Sequence, residues 1–177
     1  MKLDDVQTVL EDIQAVIASA KERDEGKLEE FVRRVSPSSS DEEVAEAAAV
    51  AVEVVEMVPV VLACAAQAAE ERQLEVVVLP VLEHAARYFV NPVDLIPEMT
   101  QGLAGLLDDT YLAFRILENF NYGSPPLMDV DFMEPLRFLR RLLGQAISDK
   151  LDEASLFALQ DVSTQVNRAW AGLGRES

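Results

Sequence analysis

Four carboxylates crowd a short proline-bearing stretch of this sequence: Asp94, Glu98, Asp108 and Asp109. Asp94 lies three residues after Asn91, Glu98 directly follows Pro97, and the aspartate pair falls early in the next apolar-periodic segment. Two chemistries fit them. As caps and first-turn residues they satisfy the free N–H groups of helix starts, where the helix dipole favours anions. Each cap then contributes on the order of 0.5–2 kcal/mol. If the four converge instead, they cannot all ionise cheaply without a cation between them. Mg²⁺ or Ca²⁺ takes oxygen ligands and needs neither histidine nor cysteine; Arg87 or Arg115 would neutralise the group equally well. A metal-dependent hydrolase needs more, an open coordination position and a substrate pocket. Capping is the preferred reading and the cation the alternative.

Elsewhere the chemistry is thinner. His84, the only histidine, sits mid-helix with no serine or cysteine at a spacing that would make a nucleophile–base pair, so it reads as a packed or surface side chain. Cys64, the only cysteine, lies in an alanine- and valine-rich run and is expected to be an inert core thiol. A single cysteine also excludes an internal disulfide and an all-cysteine zinc site. Gly102-Leu103-Ala104-Gly105 follows no strand and is not a dinucleotide fingerprint. Asp129 and Asp131 read as solvated loop residues. No catalytic constellation is recognisable, which leaves enzyme activity undecided but not favoured.

Arg137, Arg140 and Arg141 alternate with Leu136, Leu139, Leu142 and Leu143. Such a basic amphipathic helix, over 135–147, can lie on an anionic membrane or dock on an acidic partner. The preferred alternative pairs its arginines with the chain's own acidic middle region.

The elements that must position these residues are helices. Leu3, Val6, Leu10, Ile13, Ile17 and Ala20 recur at spacings of three and four, the seam of an amphipathic helix packed within the domain or, less favoured, against a second copy. A short helix carrying Leu28, Phe31, Val32 and Val35 must stop at Ser36-Pro37. Ser40 and Glu43 have the spacing of a capping box. The helix they open passes Pro59 with a kink or a fresh start there; the next, over 74–90, contains Pro80. Asn91-Pro92 marks a boundary. Then comes a helix with Leu103, Leu107, Tyr111, Phe114 and Leu117 on one side and Leu112 and Ile116 on the other, the pattern of an interior helix. Residues 121–133 form a loop, and helices over 134–148 and 151–173 finish the chain. No segment alternates as a strand would. The predicted fold is all-α, one domain of six to eight helices over 1–173: N-terminal helices in 1–36, acidic core helices in 41–90, a helix-turn-helix corner within 84–120, and a tail at 174–177.

The chain has 177 residues, half of them hydrophobic, and a formal net charge of −17. That supports a real core. It disfavours direct nucleic-acid binding, which needs basic side chains on phosphates. Between Asp41 and Glu83 ten acidic residues face one basic, Arg72, whereas from Glu134 to Ser177 the count is six against six. No basic n-region precedes an apolar core at the N-terminus. The longest uncharged run, Met57 to Ala69, is too short for a span of about 20 apolar residues. The expectation is a cytoplasmic chain without a transmembrane segment or resident cofactor.

Tyr88, then Asn91-Pro92-Val93-Asp94-Leu95-Ile96-Pro97-Glu98, followed by Gly105-Leu106-Leu107-Asp108-Asp109, resembles the YkvA-like family, a short bacterial helical domain of unknown function. The likeness runs from about His84 to Phe120. Glu98 stands where that family usually has aspartate, and the loop before the aspartate pair is one residue longer and lacks the usual proline. The resemblance implies a helical corner with Tyr88, Asn91, Pro92, Asp94, Leu95, Ile96, Pro97, Glu98, Gly105, Asp108 and Asp109 as its structural or binding residues, and no established reaction. The leading expectation is a non-catalytic interaction or regulatory module with a basic protein partner. A divalent-cation protein or hydrolase built on Asp94, Glu98, Asp108 and Asp109, and a peripheral membrane protein using Arg137, Arg140 and Arg141, are the alternatives.

Overall fold

Ser40 opens the longest helix as its spacing predicts. Its backbone N–H donates to Glu43 Oε2 at 2.7 Å, and its Oγ accepts from the Glu43 backbone N–H at 3.2 Å. These bonds, the backbone one first, hold the Glu43 carboxyl below the usual range. The computed structural model describes residues 3–90, 102–122 and 125–173, and among them the fold is all-α. Its helices are α1 (Leu3–Glu22), α2 (Lys27–Val35), α3 (Asp41–Glu71), α4 (Glu75–Val90), α5 (Leu107–Phe120), α6 (Met133–Leu143) and α7 (Gln145–Leu173), with a 3-10 turn over Leu103–Leu106 leading into α5.

α1 turns Val6, Ile13, Ile17 and Ala20 into the core and packs on α3 and α4, so the seam is filled within the chain. α3 runs unbroken through Pro59, and α4 through Pro80. A proline in a helix interior removes one hydrogen bond and costs about 3 kcal/mol. Pro59 is buried, as are Val55, Val58 and Leu62 on the same helix, and no new helix starts there. α3 stops where Gln73 adopts a left-handed φ of 59° and the Leu74 N–H donates to Ala69 O at 2.8 Å, closing the last turn. α5 is the interior helix: it packs on α3, α4, α6 and α7 and buries Leu107, Tyr111, Phe114 and Leu117 on one side with Leu112 and Ile116 on the other.

Three local expectations fail. Leu103 lies in the 3-10 turn and not on α5, because left-handed Gly102 turns the chain before it. The break between the last two helices comes at Gly144, not after Ser148: Gly144 has φ 79° and ψ 160°, a conformation nearly confined to glycine. Ser148 is then inside α7, its Oγ and N–H both donating to Gly144 O. Cys64 is exposed. The buried stripe of α3 runs through Val61, Leu62, Ala65, Ala66 and Ala69, which rotates Cys64 outward.

By length and apolarity α3 could cross a membrane or serve as the core helix of a soluble protein. Its most apolar stretch has mean hydropathy 2.1 and is 44% buried by the rest of the fold.

Candidate functional site

The entry to α5 is built by a residue far away in sequence. Asp24, in the turn between α1 and α2, accepts from the Leu28 N–H at 3.3 Å through Oδ2 and from the Leu103 N–H at 3.0 Å through Oδ1. One carboxylate thus joins the start of α2 to the start of the 3-10 turn. Gly102 makes this approach feasible: at φ 75° its Cβ would stand 2.7 Å from Asp24 Oδ1 and 2.9 Å from Asp24 Cα. Past the turn, Thr110 Oγ1 donates to Leu106 O at 2.6 Å. Asp108 and Asp109 then occupy the first turn of α5, only 5% and 4% exposed. Asp108 Oδ1 accepts from the Asp109 backbone N–H at 3.1 Å.

Tyr88, near the end of α4, faces this turn. Burial pushes its phenol above the ordinary value; Arg87 opposes that shift and the Asp109 carboxylate adds to it. His84, one turn earlier, is half-buried and meets the Tyr88 ring edge-on with centroids 6.0 Å apart. The fold therefore brings Tyr88 and Asp109 together, with His84 alongside and Gly105 half-buried in the turn between. Asn91, Pro92, Asp94, Leu95, Ile96, Pro97 and Glu98 lie outside the described residues, and so does any convergence of all four carboxylates. Among the described residues no three histidine, cysteine, aspartate or glutamate side chains gather as a metal site. Of the two arginines expected as neutralisers, Arg87 pairs with Glu83 at 3.7 Å, and Arg115 with Glu118 and Asp152.

A second polar cluster ties α5, α6 and α7. Asp152 Oδ1 accepts from the Tyr111 hydroxyl at 2.8 Å and from Arg115 Nε at 2.7 Å, while Oδ2 lies 3.4 Å from Arg140 Nη1. Arg140 also donates to Asp149 at 2.5 Å, and Arg137 to Glu134 at 2.7 Å. Burial, with Asp152 adding, pushes the Tyr111 phenol up to about 12 against the opposing charges of Arg140 and Arg115. Burial also works against the Arg115 charge, but Asp152 and Glu118 together outweigh it and raise its pKa. The arginines of α6 do pair within the chain, yet with carboxylates of α6 and α7 and not with the acidic middle region. Arg141 is exposed and makes no ion pair among the described residues. Asp131 Oδ1 accepts from the Met133 N–H at 2.8 Å, so this loop aspartate opens α6; Asp129 is exposed.

A third feature lies on the α1–α3 side. Glu42, Glu46, Glu53 and Glu56 share one exposed face of α3 at helical spacing. That stripe ends at a groove of about 310 Å³ against α1, lined by Ile17, Ala18, Lys21, Glu56, Pro59 and Val60. Val60 is 61% exposed. The Lys21–Glu56 pair, at 2.5 Å, bridges the groove.

Sequence reading missed Asp24 and Asp152. Asp24 precedes a glycine-bearing turn, the one local hint, but its second partner is 79 residues away. Asp152 carries no local signal at all.

An all-helical fold in which Tyr88 of α4 faces the buried aspartate pair of α5 is the class these observations define. Residues 85–114, which hold Tyr88, the proline stretch, Gly105 and the aspartate pair, match the model of a family described as a protein of unknown function, DUF1232. The YkvA-like resemblance is consistent with that match. No curated protein and no solved structure matches the chain.

Proposed function

We propose that this protein is a non-catalytic, cytoplasmic interaction module whose working surface is the acidic stripe of α3 together with the apolar groove it leads into. That juxtaposition carries the reading. A helical or extended segment bearing an apolar anchor between basic residues would seat the anchor beside Val60 and set its charges along Glu42, Glu46, Glu53 and Glu56. Long-range attraction from a molecule of net charge −17 would speed the encounter and make it sensitive to salt. The cytoplasmic placement rests on α3 as a core helix: Glu53 and Glu56 stand exposed near its middle, where a membrane span would carry them into hydrocarbon at a cost of several kcal/mol (~2–3 each). The motif, in this reading, is a structural corner.

Affinity capture with the wild-type chain and with Glu42→Gln/Glu46→Gln/Glu53→Gln tests it. Proteins retained by the wild type at low salt and lost from the variant are the expected outcome; identical sets would contradict the proposal.

The buried Asp108–Asp109 pair favours one second reading, a divalent cation held with Asp94 and Glu98. Melting temperatures with Mg²⁺, Mn²⁺ or Ca²⁺ at matched ionic strength decide it, because screening alone stabilises so acidic a chain. A cation-specific rise lost in Asp94→Asn/Asp108→Asn would establish the site. Equal responses in both proteins, the outcome the corner predicts, would retire it.

A further inference from the structure

The cavity between α5 and α6 gathers three arginines, each held by carboxylates of α5, α6 or α7. Its volume is about 250 Å³, and Tyr111, Arg115, Glu118, Arg137 and Arg140 supply its polar wall above Leu136. Three guanidinium groups and the Glu118 carboxylate line it, and Glu134, Asp149 and Asp152 hold those arginines from outside the lining. Each guanidinium presents five N–H donors in a planar fork. Arg115 uses Nε and Nη1 on Asp152 and Glu118, Arg137 uses Nη1 on Glu134, and Arg140 uses Nη1 and Nη2 on Asp152 and Asp149. Arg115 Nη2, Arg137 Nε and Nη2, and Arg140 Nε donate no hydrogen bond among the described residues.

Rigidity differs among the three in a useful way. Arg115 is only 23% exposed and is fixed by two carboxylates, so its orientation is set before any ligand arrives. The Arg137–Glu134 pair is 53% and 69% exposed. Such pairs contribute little, so Arg137 can leave Glu134 for a better acceptor. A planar fork matches phosphate oxygens two at a time, as a lysine ammonium cannot. The volume falls below the ~300–1,000 Å³ of drug-sized pockets, which suits a small anionic group and not an extended ligand.

The geometry points to this cavity as a binding site for a phosphate group, held between Arg115 and Arg137 with Arg140 at its side. The site is separate from the α3 stripe and does not depend on it. Free phosphate or a phosphomonoester is one source of the group, and the headgroup of phosphatidic acid is another.

Titration calorimetry of the full chain with inorganic phosphate, against chloride at matched ionic strength, tests the site. Arg137→Gln weakens phosphate binding roughly tenfold, the loss of a charge-assisted contact. Arg141→Gln, just outside the cavity, leaves it unchanged. Arg137→Lys keeps the charge without the fork and gives an intermediate affinity, which guards against a folding defect in the glutamine variant. Phosphatidylcholine vesicles doped with phosphatidic acid or with phosphatidylserine separate the sources. Retention on the phosphatidic acid vesicles alone assigns the headgroup; phosphate binding without vesicle retention assigns the free anion. Absence of binding in both arms, or equal affinity in wild type and Arg137→Gln, overturns the proposal.

Discussion

Asp24 shows how much one side chain can organise. Its two oxygens serve N–H groups at the starts of α2 and of the 3-10 turn, and Gly102 has no Cβ because Asp24 occupies that space. Removing the carboxylate strands the Leu103 N–H, whose residue is 4% exposed. Asp24→Ala should therefore lower stability by about 1–3 kcal/mol in urea melts. Gly102→Ala should cost about 1–3 kcal/mol from backbone strain, plus the clash with Asp24. The two share one contact, so the double variant should lose less than the sum; strict additivity would mean that they act independently. None of this is legible in the sequence, because an aspartate before a turn announces a local cap and not a partner 79 residues on. Ser40 and Glu43 are the opposite case: both halves of that interaction lie within one turn, so the spacing alone specifies it.

Helices were legible where an apolar stripe had one side to bury. α1 and α2 follow their periodicity, and α5 shows the two-sided burial its pattern predicts. The α6–α7 boundary was not, since Gly144 ends α6 by a backbone conformation that helical periodicity does not record. The Asp152 cluster ties α7 to α5 and α6 alongside the buried Leu151, Ala158 and Val162, and its pH dependence is open to test. The Tyr111 hydroxyl donates a hydrogen bond to Asp152, and its folded pKa is raised to about 12 from 10.0. The unfolded chain then loses this proton first as pH rises. The associated stability is fully present below pH 10 and is lost between 10 and about 12. Tyr111→Phe should lower stability at pH 8 by about 1 kcal/mol and flatten the decline at high pH relative to wild type. Parallel curves for the two proteins above pH 10 would show that Tyr111 is not the group responsible.

On the scale of the whole molecule, α3 carries acidic side chains and no basic ones, whereas the charges lining the α5–α6 cavity are paired. The α3 side is a stripe of glutamates beside an apolar groove, while the α5–α6 side gathers three arginines around one cavity. Composition revealed the acidic surplus of the middle region and the neutral last third. It did not reveal that Arg140 of α6 pairs with Asp149 and Asp152, since those contacts need the turn at Gly144 to fold α7 back; the Arg137–Glu134 pair lies within α6 itself. The central claim is that the α3 stripe and groove, and not the motif carboxylates, form the working surface. Its most direct test is the dissociation constant of a captured partner at several salt concentrations, for wild type, Glu42→Gln/Glu46→Gln/Glu53→Gln and Asp94→Asn/Asp108→Asn. Binding that weakens with salt, falls at least about tenfold in the α3 variant and is unchanged in the motif variant is the predicted result. Loss of binding in the motif variant, with the α3 variant intact and both proteins folded, would contradict it.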